Sequence, residues 1–244
     1  MNIWKETNLC NDFSYFCENY IKIDNPKLGV IPFYQYSYQK RMVKYLESNQ
    51  FLMCKKFRQG GFTTLVNVYL FWKCLFDQNI KTCSLFLMDR EVISISYKFK
   101  QIINELPNWM KSKIEKITDR EIKFTTNSKM RFLSSKEDPN SLRGNKINYA
   151  VFDECAFWGK GVTESWWVSL YLMSTEKAFF MSTSSGKEGW FYNTYENAQD
   201  GNNKIKIFNC FYTEHPDYAN QEWEEDTKNN LGVKLWKRDV LGID

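Results

Sequence analysis

The stretch "CKKFRQGGFTTL", Cys54 to Leu65, decides the fold. A short apolar run, Phe51-Leu52-Met53, leads into it, and a long apolar stretch ending near Phe76 follows it. Strand, glycine turn and helix in that order are the layout of a phosphate-binding loop, whose pattern is G-x-x-x-x-G-K-[ST]. With Gly61 as the last glycine and Thr63 as the metal-facing hydroxyl, the lysine position holds Phe62. Lys56 stands at the first position of the same eight residues. A loop wrapped around a phosphate brings its first and seventh positions near the same anion, so a long ammonium from Lys56 can reach where Phe62 cannot. Adjacent residues leaving a strand face opposite ways, so either Lys55 or Lys56 can be the inward one, and register favours Lys56. Arg58 adds a second cation. Gln59, Gly60, Gly61, Thr63 and Thr64 complete the candidate phosphate cradle, with backbone N–H groups from Gly60 to Thr63 at a helix N-terminus. A glycine turn with merely solvated basic residues is the competing reading.

The stretch "INYAVFDECAFW" (147–158) supplies the second half of a site. Tyr149 to Phe152 form a buried strand, with Asp153 and Glu154 at its C-terminal tip. Ligands of open α/β sheets bind beyond the carboxyl ends of the strands. An acid there can hold Mg²⁺, and its neighbour can orient or deprotonate a water. Asp-Glu pairs also end ordinary strands. A basic loop and an acidic tip in this order, each closing an apolar strand, make the stronger case together.

Bulk composition narrows the class. The 244 residues are 43% hydrophobic and 17% aromatic, enough for one sizeable core, and only 11 Gly and 5 Pro argue against an all-β scaffold. A net charge of +4 is compatible with nucleic acid without establishing it. Seven scattered cysteines and one histidine contain no C-x-x-C pair or zinc-finger set, and read as reduced, mostly buried thiols. No signal peptide is recognisable, and the most apolar stretch is too short to span a bilayer, so the expectation is a soluble, intracellular protein.

Residues 1–49 look helical and mixed. Leu65 to Phe76 are apolar all round, predicting a buried helix. "CSLFLM" (83–88), "YAVFD" (149–153) and "AFFMS" (178–182) read as strands, and 90–106 as an amphipathic helix stopped by Pro107. "EIKFTT" and "KMRFL" alternate like a hairpin around Asn127-Ser128. Strands alternating with helices predict an α/β domain with a mainly parallel sheet. After Phe211 the chain turns charged, with helical spacing, and reads as a small appendage.

"KKFRQGGFTT" resembles the deviant phosphate loop of the large terminase subunits of tailed bacteriophages, in which the lysine has moved to the front. The resemblance runs from about residue 30 to the end. "YSYQKRM" is similar to the family's adenine-holding element, which implies that Gln39 and Tyr38 serve there. "DPNSLRGNKINYAVFDECAFW" resembles the family's RG turn and metal-binding strand, implying Asp153 as metal ligand and Glu154 as catalytic base. Arg143 of the same stretch reads equally as an arginine finger or as a turn-stabilising residue, with Arg58 a rival for the finger's role. "FFMSTSSGKEGWFYN" resembles the coupling motif, with Thr183, Ser184 and Ser185 as its polar tip.

The resemblance implies a P-loop NTPase fold of the ASCE, RecA-like kind over residues 1–211, with 1–49 as its adenine-side region and 212–244 as a helical lid. It implies ATP and Mg²⁺ as cofactors, with double-stranded DNA, a portal protein and a small terminase subunit as partners. A homo-oligomeric ring on the procapsid, in the host cytoplasm, completes the expectation. The family's nuclease domain would begin where this chain stops, so no nuclease activity is expected of it. The rivals are a helicase-like nucleic-acid-dependent ATPase and a nucleotide-binding scaffold that has lost catalysis.

Overall fold

Alternation of side chains along three central strands places the core on both faces of one sheet. In the computed structural model, which describes residues 3–25, 27–142, 144, 146–173 and 175–241, these are β3 (Phe51–Lys55), β8 (Tyr149–Asp153) and β9 (Lys177–Ser182). Leu52, Cys54, Tyr149, Val151, Phe179 and Met181 join one apolar cluster. Their neighbours Phe51, Met53, Ala150, Phe152, Ala178 and Phe180 join another. A strand buried on both faces must be covered by helices on both sides, and parallel pairing permits this through crossover helices.

The remaining elements follow in chain order. Helices α1 (Ile3–Leu9) and α2 (Phe13–Tyr20) precede a hairpin of β1 (Lys22–Asn25) and β2 (Gly29–Pro32), and α3 (Ser37–Ser48) leads to β3. Then come α4 (Phe62–Phe76), β4 (Lys81–Phe86), α5 (Asp89–Glu105) and α6 (Asn108–Lys111). Strands β5 (Ile114–Ile117), β6 (Glu121–Phe124) and β7 (Lys129–Ser134) form a meander before β8. Helix α7 (Val162–Leu172) connects β8 to β9, α8 (Gly189–Gln199) connects β9 to β10 (Lys206–Asn209), and α9 (Gln221–Leu231) lies in the C-terminal segment. The sheet order is β10-β3-β9-β8-β4-β7-β6-β5. Pairing is parallel from β10 to β7 and antiparallel for the last two strands.

The N-terminal region corrects the reading of 1–49 as helical: the hairpin at Lys22–Pro32 is strand, held by four register pairs. Between its strands Asn25 and Gly29 carry the turn signal, with Gly29 at φ +71°. All seven cysteines are buried and unpaired. Among the described residues no helix is long and apolar enough to cross a membrane.

Candidate active site

Because β9 lies between β3 and β8, the tips of these strands are brought side by side at the carboxyl edge of the sheet. Lys55 pairs in register with Ser182, and Asp153 with Met181. Strand parity then sorts the two lysines. Lys56 continues the face of Leu52 and Cys54, while Lys55 continues that of Phe51 and Met53. Lys55 accordingly points to α8, its Nζ 5.3 Å from the centroid of Tyr195. Lys56 points to the acidic tip. Its Nζ donates to Glu154 Oε1 at 2.6 Å and lies 3.7 Å from Asp153 Oδ1.

The carboxylates have different surroundings. Asp153 is buried; its Oδ2 accepts from Thr63 Oγ1 at 2.5 Å, and its Oδ1 has no hydrogen-bond partner. Burial raises the Asp153 pKa, and the nearby Lys56 charge offsets only part of that. Glu154 is partly open. Burial would raise its pKa too, but the Lys56 ammonium and donors from Thr183 and Ser182 outweigh it and hold Glu154 low. For Lys56 burial alone would favour the neutral amine, yet the two carboxylates reverse the sign and keep it charged. Glu154 also carries a left-handed backbone, φ +51°, a conformation that costs a non-glycine residue about 1–2 kcal/mol.

The oxygens present fit Mg²⁺. A hard, small cation takes hydroxyl and carboxylate oxygens and completes its shell with phosphate and water. Thr63 Oγ1 beside a buried, unpartnered carboxylate oxygen of Asp153 is such a donor set. Among the described residues no group of three or more His, Cys, Asp or Glu could form an all-protein cage.

The loop is fixed from its other side by packing. Phe62, at the lysine position of the motif, is buried against Tyr38 at 5.5 Å, Phe57 at 6.2 Å and Phe208 at 6.3 Å between ring centroids. Both residues assigned to adenine point into this packing. Tyr38 Oη donates to the Gly60 carbonyl at 3.0 Å, and Gln39 Nε2 to the same oxygen at 3.1 Å. Gln39 Oε1 accepts from Tyr36 N. No side chain fits in the glycine positions: a Cβ on Gly60 would lie 2.7 Å from Phe62, and one on Gly61, at φ +73°, 2.7 Å from Gln39.

The other candidates are dispersed around this centre. Thr63 and Thr64 open α4, whose Asn67 donates to Thr63 O and accepts from Ser84 Oγ, tying helix to sheet. Arg58 lies on the exposed rim, 6.0 Å from the Phe157 ring. Gln59, at φ +61°, accepts from Tyr218 Oη of the C-terminal segment at 3.1 Å. Thr183 meets Glu154 Oε2 through its N–H at 3.1 Å and its Oγ1 at 3.4 Å. Ser185 Oγ instead donates to Ala156 O, and the buried Ser184 Oγ has no partner. Arg143 lies outside the described residues.

Three contacts have no counterpart in the sequence reading. Ser182 reaches Glu154, Tyr218 reaches the loop, and His215 stacks between Tyr36 at 4.7 Å and Tyr218 at 4.3 Å. Glu154, Gln59 and Tyr36 lie 28, 159 and 179 residues from Ser182, Tyr218 and His215, so local patterns could not reveal these contacts.

A family model described as Terminase large subunit, T4likevirus-type, N-terminal, matches residues 56–242. Among solved structures the chain is similar to the Thermus phage P74-26 large terminase ATPase domain, with TM-score 0.65 and 15% identity over 86% of this chain and 94% of that one. It is similar to the HK97 bacteriophage large terminase, with TM-score 0.68 and 13% identity over 87% of this chain and 46% of that one. The large terminase of a thermophilic bacteriophage, solved in complex with ADP, gives TM-score 0.61 and 13% identity over 85% of this chain and 53% of that one. The chain thus spans about half the length of the latter two proteins. At these identities the likenesses establish the fold, α/β with a mainly parallel sheet.

Proposed function

The chain belongs to the terminase large subunit family of the T4likevirus type, and on that premise we propose that it is the ATP-hydrolysing motor domain that drives double-stranded DNA into a viral procapsid. The observation that carries the reading is the position of Lys56, shared between the two carboxylates at the mouth of the glycine loop. Without a nucleotide, Lys56 neutralises Glu154. Phosphate oxygens arriving in the loop compete for the same ammonium. As Lys56 turns to them, Glu154 loses the largest of the contacts that hold its proton affinity down, keeping the donors from Thr183 and Ser182, while burial, which raises that affinity, persists. The site thereby arms its base only when the phosphates are in place.

Thr63 Oγ1 and Asp153 would hold Mg²⁺, which when bound supplies positive charge to the β- and γ-phosphates. Glu154 orients the attacking water and accepts its proton. Lys56, with Arg58 and one arginine finger, neutralises charge developing on the transferred group. Thr183, already bonded to Glu154, passes the change toward α8 and the C-terminal segment, which acts as lid. Double-stranded DNA would be gripped mainly through its phosphates, with the portal protein, the small terminase subunit and further copies of this chain as partners in the host cytoplasm.

Glu154→Gln tests the reading. It should bind Mg·ATP and release phosphate at least about 100-fold more slowly, as measured in a phosphate-release assay. Turnover retained in that variant would remove Glu154 from the role of base. A helicase-like ATPase on the same fold would separate strands, and duplex translocation without strand separation distinguishes the motor from it.

A further inference from the structure

Ser182 ends β9, the strand between the phosphate-loop strand and the acidic strand, and is fully buried beneath the site. Its carbonyl accepts from Lys56 N at 3.0 Å, which fixes where the loop leaves the sheet. Its hydroxyl accepts from Ala156 N at 3.3 Å and reaches Glu154 Oε2 at 3.2 Å. A hydroxyl has a single proton. With Ala156 N–H donating inward, that proton is directed to the carboxylate. One residue therefore touches the loop, the base and the turn that follows the base.

The two oxygens of Glu154 are divided between two partners. Among the described residues Oε1 is met by Lys56, while Oε2 receives Ser182 Oγ, Thr183 N and Thr183 Oγ1. We infer that Ser182 is a positioning residue for the hydrolytic reaction, anchoring Glu154 Oε2 and its left-handed turn so that Oε1 is the oxygen left to take the proton of water. The inference rests on the proposed role of Glu154 as base. Thr183 contributes a backbone N–H that side-chain truncation leaves in place and a longer hydroxyl contact, so Ser182, the nearer hydroxyl, is the more direct test of the anchor. A base free to rotate about its side-chain bonds spends less time aligned, and the loss falls on the chemical step and not on nucleotide binding.

The test measures kcat and KM for Mg·ATP in the full chain for Ser182→Ala, Ser182→Thr and Ser182→Val. Threonine and valine share a shape and differ by the hydroxyl, so their comparison cancels any packing cost of the added carbon. Ser182→Ala should lower kcat about tenfold with KM nearly unchanged, the scale of one hydrogen bond to a charged group. Ser182→Thr should keep several-fold more kcat than Ser182→Val. Equal kcat in the threonine and valine variants, or a loss confined to KM, would overturn the assignment. Failure of the underlying reading is separable, because it appears as retained turnover in Glu154→Gln whatever Ser182 does.

Discussion

The two sides of the glycine loop are built from opposite chemistry. On one side Lys56 and Thr63 meet Asp153 and Glu154 through charge and short hydrogen bonds. On the other, Tyr38, Phe57, Phe62, His215 and Tyr218 meet ring against ring. The charged side can exchange partners, because an ammonium released by one anion is taken up by another. The aromatic side cannot do so without opening a cavity. The difference explains how a phosphate loop can lack lysine at its usual position. Phe62 lies on the side that sets the loop's shape, and under the proposed function the charge would enter from Lys56 on the other side.

That division can be broken from either side. Lys56→Ala should lower phosphate release by about 100- to 1,000-fold, as expected for loss of a preorganised charge at the reacting group. Intact secondary structure by circular dichroism would separate this loss from unfolding. Phe62→Ala should act the other way, costing about 3–5 kcal/mol of stability in urea denaturation, as for other buried phenylalanines. Its residual turnover, measured below the unfolding transition, should fall less than that of Lys56→Ala.

The smallest expected effect concerns pH and sharpens the aromatic side alone. Burial lowers the His215 pKa below its ordinary value of 6.5; Asp217 opposes this and Lys27 adds to it, with Tyr36 and Tyr218 facing the ring. Asp217 N donates to His215 Nδ1 at 3.1 Å, a bond that only the unprotonated nitrogen can accept. A depressed folded-state pKa contributes stability that is full above about pH 6.5 and is lost as pH falls through the folded value. Melting temperature should therefore drop more steeply between pH 7 and pH 5 in the unaltered chain than in His215→Gln. Parallel slopes would show that His215 does not report on this contact.

Much of this architecture was legible in the sequence. The apolar runs at 51–54, 149–153 and 178–182 carry strand signals strong enough to outweigh context, and Asn127-Ser128 marks its hairpin with Asn127 at φ +59°. Register favoured Lys56 and left Lys55 open; the strand pairing puts Lys56 against the carboxylates and Lys55 against Tyr195. The hairpin at Lys22–Pro32 was hidden because its strands are short and largely exposed, without an apolar alternation to read. Tyr38 and Gln39 were read by resemblance as adenine contacts; their shared bond to the Gly60 carbonyl depends on how α3 packs against α4 and had no signal in the sequence. Ser182 fell within the stretch that resembles the coupling motif but was not singled out, since a serine ending a strand is ordinary until β9 is known to lie between β3 and β8.

The most direct test asks which position supplies the cation. Phosphate release from Mg·ATP would be measured for Lys56→Ala and for Lys56→Ala combined with Phe62→Lys, at several protein concentrations. The same loss of about 100- to 1,000-fold in both is the expected result, because the side chain at position 62 enters the Tyr38, Phe57 and Phe208 packing and not the phosphate site. Turnover restored by lysine at position 62, or undiminished in Lys56→Ala, would contradict the account.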